Sequence, residues 1–363
     1  MAPFAIGLCF LLLMISGQPD RALRGHNDFV QLYVGSQLVG TPDLYSREAN
    51  LRQVQEAIGF TMESVVFTRP PFYAVLLRPL SWFSYPVAYG LFSLASFGSI
   101  LWFVISFRRE FQALPLIAAM GVPLGLALCT GQDTPFLLLI LGVAILLLRR
   151  GLDFAAGLLL SLLAIKFHLF LFLPLALLLK KRWSTLSGGI TGLVAATLLG
   201  LLVAGPDSLS RYVQVLRDPW INPVATHMPN LHGLSTNLGG GWWLEGALIF
   251  ALAFGFVWTA MRVQDFELVF ALSLVCGLLV SFHSGLADDV VLYAALVILI
   301  HATQNVPVRA MATLILTPIP SVMVMVGPPY SMALPLLLLG LVGMVAWKSC
   351  GRDSFGARVD TKL

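Results

Sequence analysis

Charge is what this chain has least of. Aspartate, glutamate, lysine and arginine together make up 11% of its 363 residues, against roughly 25% in soluble domains. That is too few ionisable groups to clothe a water-soluble globule of this length. Cysteine is also scarce: Cys9, Cys129, Cys276 and Cys350 fall in apolar segments or in the C-terminal tail. They offer no extracellular disulfide framework and read as small apolar fillers.

Apolar residues fill the space that charge leaves. They reach 58% of the chain, with a mean hydropathy of +0.87, and the composition describes an all-α polytopic membrane protein. Runs long enough to cross a hydrocarbon core of ~30 Å lie near 87–107, 113–130, 185–204, 244–261, 309–326 and 331–347. Less regular ones lie near 3–16, 134–148, 266–281 and 289–303. The stretch 154–179 is too long for one upright helix and carries Lys166, His168 and Pro174. It reads as two short helices in a hairpin that does not fully cross, with a single tilted helix as the alternative.

Basic residues orient the chain. When the spans alternate, one side collects Arg108, Arg109, Arg149, Arg150, Lys180, Lys181, Arg182, Arg262, Arg309 and the tail's Lys348, Arg352, Arg358 and Lys362. This side holds 13 of the 22 basic and 6 of the 18 acidic residues, which assigns it to the cytoplasm. The net charge of +4 is therefore orientation and implies no nucleic-acid partner. One integral membrane domain, 1–363, is expected, with outer segments at about 17–69 and 205–243, a short one at 282–288, and a cytoplasmic tail at about 348–363. Arg21 and Arg24 flank the first span on its outer side, against the trend, and a cleaved signal peptide is the alternative there.

The outer side gathers most of the polar chemistry. Asp28 follows the first span, and its two readings are a helix N-cap for 29–39 and a catalytic base. Arg69 precedes Pro70 and Pro71, which suit the first turn of a short interfacial helix; its readings are phosphate binding and snorkelling toward headgroups. Gly131-Gln132-Asp133-Thr134 is either a tight capped turn or a polar lip of a cavity. Lys166 and His168 sit at membrane depth, where ionisable groups are costly and functional by default; a packing histidine is the plain reading of His168. His227, His232, His283, Asp288 and Asp289 fit no compact metal site, and the expectation is no metal.

The order of Asn27-Asp28-Phe29 with Tyr33 and Gly40 to Tyr45, then Arg69-Pro70-Pro71, Gly131-Gln132, Ala156-Gly157 with Lys166 before Pro174, the basic Lys180 to Trp183 end, and a late His and Asp resembles glycosyltransferase family 87. The family contains polyprenyl-phosphate-mannose-dependent mannosyltransferases of the C-type membrane glycosyltransferase superfamily. The resemblance runs from about residue 25 to 295. It departs at Asp133, where the family often has Asn, and after Lys166, where a proline is common.

The resemblance implies a bundle of about 10–13 transmembrane helices. It implies inverting transfer of a hexose, mannose, from a polyprenyl-phosphate carrier to a lipid or glycan acceptor at the outer face of the cytoplasmic membrane. Asp28 matches the family's first-loop aspartate and would be the general base; Lys166 and Arg69 would bind the donor phosphate. Asn27, Tyr33, Gln132, His168, His283, Asp288 and Asp289 would contact substrate, and His283, Asp288 and Asp289 are expected in the same cavity as Asp28. The lipid-linked sugar is a substrate, and no cofactor is expected. Inverting transfer needs one carboxylate to deprotonate the acceptor, while a phosphate leaves without a general acid. The rival from another class is a secondary transporter of a small polar or anionic solute, since broken helices and embedded Lys and His also suit carriers.

Overall fold

The computed structural model describes residues 27–59, 65–218 and 224–350. The expected span at 3–16, its signal-peptide alternative, Arg21, Arg24 and the tail beyond Cys350 lie outside them. The described residues form helices and no strand, so the protein is an all-α polytopic membrane protein.

The first polar segment folds into α1 (Phe29–Leu38) and α2 (Arg47–Ile58), the latter capped by the Ser46 side chain, which accepts from the Ala49 N–H. Pro71 opens α3 (Pro71–Leu77), and α4 follows (Tyr85–Phe107). The run expected as one span at 113–130 is interrupted, giving α5 (Leu114–Ala119) and α6 (Val122–Thr130), and α7 is Thr134–Arg149.

The stretch at 154–179 becomes α8 (Asp153–Leu160), a 3₁₀ segment (Ser161–Phe170) and α9 (Leu173–Leu179). It breaks at Lys166, with φ −131° and ψ 57°. The break matches the sequence reading, but Asp153–Phe170 is by itself long and apolar enough to cross a membrane, where that reading gives a hairpin that does not fully cross. The two halves pack on different partners, α8 against its chain neighbour α7.

Continuing along the chain come α10 (Trp183–Ala204), α11 (Ser208–Leu216), α12 (Leu231–Asn237), α13 (Gly241–Arg262), α14 (Phe266–Val280) and α15 (Val290–Ala302). The last are α16 (Val306–Leu316) and α17 (Pro318–Val326), bent by 51° at Thr317, and α18 (Ala333–Cys350). Five stretches among the described residues are long and apolar enough to cross a membrane alone: Tyr85–Phe107, Asp153–Phe170, Trp183–Ala204, Gly241–Arg262 and Tyr330–Lys348. The bent α16–α17 pair makes a sixth. The other apolar runs fold as shorter or interrupted helices, α7 and α14 with 16 and 15 residues.

Side-chain exposure says what surrounds these helices. Along α10, Ile190, Leu193, Val194, Leu198 and Leu202 point outward, Leu202 at 83% exposure. Burying such a side chain stabilises by about 1.5–3 kcal/mol in water, so a row left outside is a surface made for hydrocarbon.

The chain divides into two compact units, each assembled from separated stretches. One takes the described residues up to Val104, of Pro123–Phe167 and of Trp183–Pro223; the other takes those of Ile105–Val122, of His168–Arg182 and from Val224 onward. In the first unit α10 lies along α8, also touching α3. Glycines permit the approach: a Cβ on Gly157 would meet the Thr185 carbonyl oxygen at 2.0 Å, and one on Gly188 the Phe154 carbonyl oxygen at 2.2 Å. Small residues at a helix crossing are how membrane helices gain dispersion contact where no hydrophobic effect drives them together. In the second unit α14 and α15 pack side by side and are buried along nearly their whole length, which is why both are apolar on every face. There α9 lies against α14 and α13.

Candidate active site

Four aspartates among the described residues, Asp28, Asp133, Asp207 and Asp289, occupy helix N-cap positions without capping, and the first two lie together. Asp28 precedes α1 and Asp133 precedes α7, yet neither side chain accepts a bond from its helix's first turn. Elsewhere Ser46, Asn230, Asp265 and Asn305 all cap in the ordinary way. The oxygens of Asp28 and Asp133 are engaged otherwise, and both aspartates belong to one polar chain inside the first unit.

The turn between α6 and α7 assembles that chain. Gly131 sits at φ +64°, a left-handed conformation glycine adopts without steric cost. A Cβ there would lie 2.6 Å from the Phe29 Cβ, so the turn presses directly on the Asp28-Phe29 segment. The Asp28 N–H donates to the Thr130 carbonyl at 2.9 Å, and the Gln132 N–H to the Ala127 carbonyl at 2.9 Å. Held in this way, Gln132 donates through Nε2 to Asp28 Oδ2 at 2.6 Å and accepts at Oε1 from Lys166 Nζ at 2.9 Å.

Lys166 reaches Gln132 because the chain kinks at that residue and carries its ammonium to the turn. Its Nζ also lies 3.2 Å from Asp133 Oδ1. Arg69 comes from the other side, with Nε 2.6 Å from Asp133 Oδ2 and Nη2 3.3 Å from Oδ1. Its own carbonyl is anchored by the Tyr45 hydroxyl at 2.8 Å, and its Nη1 donates to the Thr68 hydroxyl at 2.9 Å. All three charges are buried: Asp133 is 0% exposed, Lys166 4% and Arg69 8%. Burial by itself would raise the Asp133 pKa; the Arg69 and Lys166 charges outweigh it and hold the carboxyl well below the usual carboxylate range. Two cations thus share one carboxylate.

Sequence reasoning brought Asp28, Gln132, Lys166 and Arg69 forward, and the structure joins all four. It missed Asp133 as the carboxylate that Lys166 and Arg69 share. The signal was Asp133 itself, an acidic residue in the turn where the family often has Asn. Asn27 accepts from the Tyr85 hydroxyl at 3.0 Å. Tyr33 is buried, donates to the Phe83 carbonyl at 2.8 Å, and meets the Tyr85 ring edge-on.

The second unit holds the remaining candidates. His168 is buried, with its ring 5.2 Å from that of Phe282 and 5.8 Å from that of His283, edge-on to the latter. Asp288 is buried and accepts from the Gly285 N–H at 2.8 Å, so it closes the turn before α15. Asp289 is 1% exposed, and neither of its oxygens has a hydrogen-bond partner among the described residues. Asn230 ties the same loop down, donating to the Ser281 carbonyl at 2.7 Å and the Ser284 hydroxyl at 2.9 Å. His232 pairs with Glu245 at 2.9 Å. No cluster of three His, Cys, Asp or Glu side chains fit to hold a metal occurs among the described residues.

A family model described as Glycosyltransferase family 87 matches residues 67–284, more than half of the chain. The matched segment contains Arg69, Gln132, Asp133, Lys166, His168 and His283; Asp28 precedes it and is joined to it through Gln132. No curated protein and no solved structure gives a significant match to the chain.

Proposed function

The chain belongs to glycosyltransferase family 87, and from that premise we propose that this multi-pass membrane glycosyltransferase moves a hexose, mannose, from a polyprenyl-phosphate carrier to a lipid or glycan acceptor. The reaction inverts the anomeric centre and takes place at the outer face of the cytoplasmic membrane. The observation that carries the reading is a carboxylate, Asp28, joined through Gln132 to the buried Lys166, which shares Asp133 with Arg69.

In the reaction an acceptor hydroxyl oxygen forms a bond to the anomeric carbon as the bond from that carbon to the phosphate oxygen breaks. The hydroxyl proton passes to Asp28, and polyprenyl phosphate leaves as the anion. A phosphate needs no protonation to depart, so electrostatic stabilisation replaces a general acid. Lys166 and Arg69 supply it, with Asp133 holding both in place until the phosphate arrives. Within the first unit, Asn27 and Tyr33 are assigned to substrate contact; His168, His283, Asp288 and Asp289 are candidates for it within the second unit.

Purified protein incubated with labelled polyprenyl-phosphate-mannose and a membrane extract should yield a labelled acceptor of inverted configuration. Product formation from a nucleotide sugar alone, with none from the lipid-linked donor, would refute the choice of donor.

A further inference from the structure

We propose that Gln132 is a positioning residue for Asp28: its amide, locked in one orientation by the Lys166 ammonium, holds the carboxylate ionised and aimed. This deepens the proposed function and rests on it for the role of Asp28 as base.

The lock follows from the two unlike ends of an amide. Its NH₂ only donates, its oxygen only accepts, an ammonium only donates and a carboxylate only accepts. With Nε2 on Asp28 and Oε1 on Lys166, both contacts, at 2.6 Å and 2.9 Å, are favourable. Turned over, the amide would set oxygen against carboxylate and NH₂ against ammonium. Charges at both ends, rather than packing, therefore decide the orientation. The Lys166 charge on Oε1 also polarises the amide and strengthens its N–H as a donor to Asp28.

The backbone keeps the amide within reach. Gln132 N–H is tied to Ala127, the Asp28 N–H to Thr130, and Gly131 lies flat against Phe29. Among the described residues, the charged groups joined to this chain in the first unit include Lys166, then Asp133 and Arg69 beyond it, and Tyr85 stands beside it through Asn27. Protonating Asp28 weakens a charge-assisted hydrogen bond, so Gln132 favours the ionised form that a base must have.

Infrared titration of the full-length protein in lipid nanodiscs tests this without any turnover, because the Asp28 carboxyl band is identified by its loss in Asp28→Asn. Gln132→Glu is isosteric and replaces the donor with a second carboxyl, so the Asp28 midpoint should rise by at least about one pH unit. Gln132→Met keeps the length and loses both bonds; it should raise the midpoint by less and lower kcat at least about tenfold, with the donor KM little changed. The acid limb of the kcat profile should move up with the infrared midpoint in Gln132→Glu. Midpoints in both variants within about 0.3 unit of the wild type overturn the proposal, as does wild-type kcat in Gln132→Met. If the wild type transfers no sugar from the lipid-linked donor, the function reading fails, and the infrared midpoints still decide the role of Gln132.

Discussion

Arg69 grips Asp133 with two nitrogens, Nε at 2.6 Å from one carboxylate oxygen and Nη2 at 3.3 Å from the other. Such a fork is the strongest pairing a guanidinium makes, and here it is buried, with Lys166 against the same carboxylate. A buried ion pair seldom adds much over an apolar core, whereas breaking one is costly because the remaining charge has no partner. The arrangement thus keeps two buried cations against one carboxylate.

Asp133→Asn should therefore lower stability by about 3–5 kcal/mol, read as a fall in apparent Tm in detergent. The pH dependence has a definite sign. The folded pKa of Asp133 lies below the ordinary value of about 3.9, so its stabilisation is present above that value and is lost as pH falls toward the folded pKa. The wild type should lose stability below about pH 4 through this group, and the Asn variant should lack that component. A variant with unchanged Tm and the same acid slope would show that Asp133 does not hold the cations.

Lys166→Ala should weaken use of the donor more than use of the acceptor. A charge-assisted contact is worth about 1.5–3 kcal/mol, which is roughly ten- to a hundredfold in kcat/KM for the lipid-linked donor. Arg69 stays paired with Asp133 in this variant, so the fold has less reason to fail than in Asp133→Asn. Unchanged donor kinetics would make Lys166 a structural partner of Asp133 only.

How much of this could be read in advance divides along physical lines. Apolar composition and basic loops give the class directly, because lipid selects for them over whole segments; Tyr85–Phe107, Trp183–Ala204 and Gly241–Arg262 lie within a few residues of the runs seen in the sequence. Interruptions inside a run are local. The break at Met120–Gly121 and the bend at Thr317 carry weaker signals, and Lys166 betrayed its kink only because it is charged. The site was legible as separate residues. Their linkage was not, since Asp28 and Gln132 are 104 positions apart and Arg69 and Asp133 are 64 apart. Cap residues were ambiguous: Asp28 and Asp133 directly precede helices, and only the structure shows that neither side chain caps and that both turn to other partners.

Gly157→Val should abolish assembly of the first unit. Its Cβ would fall 2.0 Å from the Thr185 carbonyl oxygen, a backbone atom with no freedom to move aside, while Gly246 has nothing within 4 Å of the same position. Membrane yield and monodispersity on size exclusion should collapse for Gly157→Val and remain near wild type for Gly246→Ala. Equal tolerance of both would mean that α8 and α10 do not approach as closely as described.

Asp28→Asn separates a base from a cap more cleanly than the sequence alone allowed. Asparagine is itself a good N-cap, and the Asp28 side chain makes no capping bond to lose. An asparagine oxygen can still accept from Gln132 Nε2, so the turn against Phe29 should stay in place and apparent Tm should change little. What the substitution removes is basicity. Turnover with the lipid-linked donor should fall by at least about 10²-fold, the usual loss when a general base is deleted, without a matching rise in the donor KM. Near-normal turnover would return the search to the carboxylates of the second unit. Asp288 is committed to the Gly285 N–H, which would leave Asp289, buried with neither oxygen hydrogen-bonded among the described residues, as the next group to test.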